Sequence, residues 1–346
     1  MMRKWQEIIN GVRAIEAGNT PSTDISDVLA AHRCTQWLKI AYPQQVDIAR
    51  SLVNKVALRE RFRTCEPVFG EMAHIPYAIV KGAALSRAAY GDATMRQSGD
   101  VDLLISRTHL EEVKRLLLQQ GFVQGRITAN GIQPFSRREL IFQSAMSHQT
   151  APFVKETGNP LIPYINVDIN LDIFWGESEQ RADMDAFLAH TTETELFGAT
   201  VRILEPIYDF IFLCMHHYKD MNSLYLLSDR GLRMDQLCDI LYFLKANELD
   251  ISALLTAART YGVTDYLHYC VYYANRLCPH LVFERYLQAL AGGTGLTAYY
   301  GLNAVERQTW DVPFEERLLD PMFPRRFFDS LSEEQKEKVR VNRLYM

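Results

Sequence analysis

The chain has 346 residues, of which 48% are apolar and 23% charged, and its formal net charge is -5. That length suits two or three packed units, and the composition is one of an ordinary globular protein, which excludes extensive disorder. The acidic balance argues against an extensive nucleic-acid surface, which shows as an excess of Lys and Arg, and no apolar run approaches the length of a bilayer span.

The opening stretch MMRKWQEIINGVRAIEAG carries acidic residues and lacks an apolar core of signal-peptide length, so the expected location is the cytoplasm. Residues 1 to 74 read as a helical segment, with Val46, Ala49, Leu52, Val53 and Val56 recurring at helical spacing. The pattern then changes. Pro76 to Val80 is a short apolar run that stops at Lys81-Gly82, as a buried strand ending in a glycine turn does. One or two helical turns follow from Ala83 to Tyr90, closed by Gly91-Asp92.

Val101 to Ile105 reads as a second strand. The helix after it has Thr108 and Glu111 in a capping-box pattern, an apolar stripe of Leu110, Val113, Leu116 and Leu117, and a stop at Gly121. Residues 138–147 (RELIFQSAMS) read as a further strand. INVDINLDIFW, residues 165–175, alternates most cleanly: Val167, Ile169, Leu171, Ile173 and Trp175 fall on one face, Asp168, Asn170, Asp172 and Phe174 on the other. From Pro206 the pattern is helical again, interrupted at Gly292-Gly293 and ending in a mixed-charge surface helix. The boundaries expected from this are a helical segment at 1–74, a catalytic core at 75–200 and an all-α region at 201–346. The fold class is α+β.

Asp100 and Asp102 carry the chemistry. Two apart on a strand, their carboxylates project from one face while Val101 and Leu103 enter the core. Like charges that close repel unless a cation lies between them, and Mg2+ suits oxygen ligands of this kind. The glycine at Lys81-Gly82 lets backbone N–H groups approach an anion, and Arg96 is placed as a phosphate clamp. Asp168 and Asp172, on the polar face of the later strand, each offer the third carboxylate of a two-metal phosphoryl-transfer site, and spacing does not choose between them.

The stretch from Ile79 to Phe122 resembles the core of the nucleotidyltransferase fold, of the polymerase-beta-like superfamily. Within it the chain is most similar to the bacterial family called uncharacterised nucleotidyltransferase. Lys81-Gly82, Tyr90, Arg96, Asp100, Asp102 and Gly121-Phe122 match that family's pattern in order, and Leu171 to Trp175 matches its later strand motif. The similarity spans about residues 40 to 250. Two departures stand out: Gly82-Ala83 where superfamily members often carry Gly-Ser, and Phe174 where a His is common. The resemblance implies a mixed β-sheet core with flanking helices and a Mg2+-dependent transfer from a nucleoside triphosphate, ATP or another. Asp100 and Asp102 would bind two Mg2+ ions, with Lys81, Gly82, Ala83 and Arg96 around the phosphates. Asp172 would complete the metal site and activate the acceptor, with Asp168 as the alternative third acid. The acceptor, a small molecule, peptide or protein, is not encoded in any motif, and neither is the oligomeric state. A nucleotide-binding regulatory module without catalysis and an RNA-modifying nucleotidyltransferase are the competing readings.

Elsewhere the residues favour structural roles. Cys34, Cys65, Cys214, Cys238, Cys270 and Cys278 are scattered without a C-x-x-C pair and read as buried thiols. Adjacent His216 and His217 diverge around a helix and do not suit one ligand. Asp235 and Asp239 read as a solvated face or an ion pair, and Arg137 and Arg138 as exposed loop charges. The tyrosines from Tyr225 to Tyr273 read as helix-packing core.

Overall fold

The computed structural model of the chain describes residues 2–146, 149–176, 178–291 and 295–345. The interruption expected at Gly292-Gly293 lies outside the described residues. The chain divides into two compact units, one of residues 47–212 and one of residues 1–46 with 213–346. This division differs from boundaries at 74 and 200. The helix Ile48–Glu71 groups with the sheet, and the first 46 residues group with the C-terminal helices.

The 47–212 unit is built on a mixed eight-stranded sheet: β1 (Tyr77–Val80), β2 (Asp100–Ile105), β3 (Val123–Thr128), β4 (Gly131–Pro134), β5 (Phe153–Asn159), β6 (Ile162–Asn170), β7 (Thr191–Leu196) and β8 (Ala199–Leu204). Their spatial order is β4-β3-β5-β6-β2-β1-β8-β7. At the centre β2 runs antiparallel to β1 and parallel to β6, with Asp102 paired to Val80 on one side and to Asp168 on the other. The nucleotidyltransferase-type α+β architecture expected from the sequence is the one observed.

One face of this sheet is covered by the helices Ile48–Glu71 and Leu110–Gln119. Val101, Leu103, Ile105, Ile165, Val167 and Ile169 pack there against Leu58, Phe62, Cys65, Val68, Phe69, Val113, Leu116 and Leu117. The alternation of β2 and β6 is therefore real. Their odd-numbered residues fill this core, and Asp100, Asp102, Asp168 and Asn170 occupy the opposite face.

Four local readings need correction. Residues 137–146 form a helix, not a strand. The β6 strand starts at Ile162 and leaves the sheet after Asn170, so Leu171 to Trp175 are not strand residues although all five are buried. The helix Ile48–Glu71 exists, but the face read as its core stripe is turned outward: Leu52, Val53 and Val56 are 59%, 47% and 42% exposed. Its inner face instead carries Asn54, Ala57, Leu58, Arg61, Phe62 and Cys65. The Leu110–Gln119 helix is also entered differently, with Ser106 rather than Thr108 accepting a backbone N–H at the preceding turn.

The other unit is helical except for a two-stranded antiparallel ladder of Tyr299–Tyr300 with Gln308–Thr309, so the region expected to be all-α carries a short sheet. Glu16, at the end of helix Met2–Glu16, accepts hydrogen bonds from Trp37 Nε1 (2.7 Å) and Tyr242 Oη (2.5 Å) and pairs with Lys245, tying residues 1–46 to helix Met234–Ala246. His217 and Asp239, both buried, meet at 3.2 Å in a hydrogen bond, and Asp235 pairs with Arg233 at 3.0 Å, so neither acid belongs to a solvated face. Tyr269 and Tyr273 are buried with ring centroids 4.7 Å apart, as core. All six cysteines are buried thiols. Among the described residues no helix is long and apolar enough to cross a membrane.

Candidate active site

The site begins at the turn that ends β1. Lys81 adopts φ +55°, a conformation that disfavours a side-chain-bearing residue, and Gly82 follows at φ +40° before the helix Gly82–Tyr90. A Cβ at Gly82 would sit 2.8 Å from Ser98 Oγ, so an added side chain would have to displace Ser98 as well as adopt a strained backbone. The first helical hydrogen bond here runs from Leu85 N–H to Lys81 C=O, leaving the N–H groups of Gly82, Ala83 and Ala84 in the opening turn ahead of it. Ala83 itself is 4% exposed and its side chain belongs to the core, so only its backbone can meet a ligand.

Beside this turn lie the acids of β2. Asp102 is 5% exposed, and its Oδ1 accepts from Lys81 Nζ at 2.6 Å and from Asn170 Nδ2 at 3.2 Å. Asn170 also donates to Leu103 C=O, and its own Oδ1 accepts from Gln149 Nε2 at 2.7 Å. Asp102 is thus held from both sides, by a cation in the turn after β1 and by an amide from β6. Ser98 Oγ donates to Asp100, at 2.9 Å to its C=O and 3.3 Å to its Oδ1. Arg61 reaches in from helix Ile48–Glu71 and donates to Ser98 C=O at 2.7 Å. Asn54 of the same helix donates to Thr94 and Arg96 C=O, while Arg96 N–H donates to Ser86 Oγ, which fixes the loop carrying Arg96.

The electrostatics follow from this crowding. Burial and the neighbouring charge of Asp102 push the Asp100 carboxyl above its ordinary value, against the opposing pull of Lys81 and Arg61. Burial alone would lower the Lys81 ammonium. Asp102, Asp100 and Asp168 together outweigh it and raise the value instead. The cluster is an all-oxygen, hard donor set with a demand for positive charge, which fits a divalent ion such as Mg2+. Among the described residues no three His, Cys, Asp or Glu side chains already form a ligand set. Mg2+ needs none, since it usually takes one or two protein carboxylates and completes its shell with water and phosphate oxygens.

The two candidate third acids are separated by the end of β6. Asp168 lies in register with Asp102 on the neighbouring parallel strand. Asp172 lies beyond the strand, where its Oδ1 accepts N–H bonds from Phe174 at 3.0 Å and Ala182 at 3.4 Å. The expectation that Asp172 shares a strand face with Asp168 fails because the chain turns out of the sheet at Leu171. Phe174 is 1% exposed and packs edge-to-face on Trp175, so the position where a His is common is a packed one here.

Compared with known protein families, residues 54–279 match the one described as uncharacterised nucleotidyltransferase. The chain belongs to that family. The matched region takes in the whole Lys81–Asp102 turn-and-strand arrangement, β6 and part of the helical C-terminal region. A comparison with curated proteins finds no match. Within this nucleotidyltransferase-family chain, Ser98, Asn170, Gln149 and Arg61 are the site residues that the sequence reading did not single out. Asn170 carried a signal, because it follows Asp168 by two on the same strand. Arg61 carried none: nothing in a helix 40 residues upstream marks one arginine as turned toward the acids.

Proposed function

We propose that the protein transfers a nucleotidyl group from a nucleoside triphosphate to an acceptor with release of pyrophosphate. The observation that carries the reading is the register of β2 and β6, which supports Asp100, Asp102 and Asp168 as one carboxylate group on the face opposite the core. Asp168 replaces Asp172 as the preferred third acid, because Asp172 is engaged by the backbone of its own loop.

In this reading Asp100, Asp102 and Asp168 would hold Mg2+, which would supply positive charge to neutralise the triphosphate. The opening-turn N–H groups of Gly82, Ala83 and Ala84 bind phosphate oxygens, with Lys81 and Arg96 supplying positive charge. Asn170 keeps Asp102 in orientation. Asp168 takes the proton of the acceptor hydroxyl as that oxygen attacks the α-phosphorus, and pyrophosphate leaves on the opposite side. The two departures, Ala83 and Phe174, are both buried side chains.

Incubation with Mg2+ and triphosphates labelled in turn at the α- or the γ-phosphorus, in the presence of fractionated cell extract, tests this. Transfer of α-label but not γ-label, abolished by Asp100→Asn with Asp102→Asn, is the expected result. Transfer of γ-label would mean a phosphotransferase, and α-labelling that survives the double substitution would remove these acids from the reaction.

A further inference from the structure

We propose that Lys81 is a built-in competitor of the divalent ion for Asp102, so that metal binding requires the ammonium to leave that carboxylate. The inference rests on the function proposed above and adds an order of events to it. Lys81 Nζ lies 2.6 Å from Asp102 Oδ1, between a lysine side chain 14% exposed and an aspartate 5% exposed. Asn170 donates to the same oxygen, so that Oδ1 already accepts two donors. Asp100 is two residues away on β2 and Asp168 is the register partner of Asp102, so one ammonium serves three carboxylates.

A divalent ion and an ammonium cannot both lie against one buried carboxylate without strong repulsion, because charges a few ångströms apart interact heavily where water is excluded. Lys81 therefore lowers the affinity of the nucleotide-free protein for metal. The same residue offers the way out. Its backbone is fixed between β1 and the opening turn of helix Gly82–Tyr90, whose first N–H groups follow it directly. A side chain with four rotatable methylenes can pass from Asp102 to an anion held at that turn without backbone movement. A triphosphate thus gives Lys81 a new partner and frees Asp102 for the metal, so nucleotide and metal enter together. Lys81 thus contacts the nucleotide and governs access of the metal, and this second effect is read in metal binding.

The test is a titration of the protein with Mn2+ alone, without nucleotide, following the electron paramagnetic resonance of the free ion. Lys81→Met and Lys81→Gln are expected to bind Mn2+ roughly ten- to a hundredfold more tightly than the wild type, and Asp102→Asn added to either should remove the gain. Binding by both Lys81 variants that is no tighter than wild type overturns the proposal, and leaves the α-label experiment to judge the proposed function by itself. Thermal melting checks that the variants fold. The wild type supplies a second measurement independent of them: in protein labelled with 15N-lysine, the Lys81 Nζ signal should move as Mg2+ is added. A signal that stays in place at a Mg2+ concentration where calorimetry shows the ion bound also overturns the proposal.

Discussion

Asp209 stands apart from the acids of the active site. It lies in the first turn of helix Pro206–Asn222, is 7% exposed, and burial pushes its carboxyl up to about 7. Because the folded form holds its proton more tightly than the unfolded chain, stability falls as pH rises from about 4 to about 7 and remains lower above that. Asp209→Asn removes the buried charge. It should raise stability at pH 8 by on the order of 4 kcal/mol and change little near pH 4. Denaturant titrations at the two pH values measure this directly, and an equal effect at both would mean that burial of the charge is not the cause. Glu16 has the opposite sign. Burial would raise its carboxyl, but Lys245, Tyr242 and Trp37 outweigh burial and hold it below the ordinary value. Its contribution is therefore present above the usual glutamate range and is lost as pH falls through the lowered folded value.

At the scale of elements, the strand-turn-helix from β1 into Gly82–Tyr90 concentrates the most constraint in the fewest residues. Gly82→Ala must place a Cβ against Ser98 at φ +40°, and Ser98 is the residue that holds Asp100. The substitution should cost about 1–3 kcal/mol of stability and weaken triphosphate binding at least tenfold, with the secondary structure retained in circular dichroism. Retained affinity would show that the turn does not position the phosphates. This element was legible from the sequence because each of its signals is local: an apolar run, a glycine, and two acids two apart. The helix Ile48–Glu71 was legible as a helix but not in its orientation. Asn54 and Arg61 lie on its inner face because they bind the 94–98 loop, so polar residues interrupt the stripe that periodicity looks for, and Leu52, Val53 and Val56 mimic it on the outside. The run from Leu171 to Trp175 misled for a related reason. Burial continues past the last strand residue, and alternation of residue types cannot report where the hydrogen-bond ladder stops.

Over the whole molecule, the pairing of residues 1–46 with the C-terminal helices is a long-range fact that no local pattern encodes. Its hub is small: Glu16 receives Trp37, Tyr242 and Lys245, and Trp37 is fully buried. Trp37→Ala should therefore cost about 3–5 kcal/mol. Hydrogen exchange should show the loss in the distant helix Met234–Ala246 as well as around residue 37. Exchange raised only near residue 37 would mean that the N-terminal segment does not support that helix.

We propose that Asp100, Asp102 and Asp168 form the metal-dependent nucleotide site of this family member. Calorimetric titration with ATP, GTP, CTP and UTP, with and without Mg2+, tests it most directly when the wild type is compared with Asp102→Asn, Asp168→Asn and Asp172→Asn. Mg2+-dependent binding of at least one triphosphate is expected, lost in Asp102→Asn and Asp168→Asn and kept in Asp172→Asn. Binding that ignores Mg2+, or that survives loss of Asp102 while failing without Asp172, would contradict it.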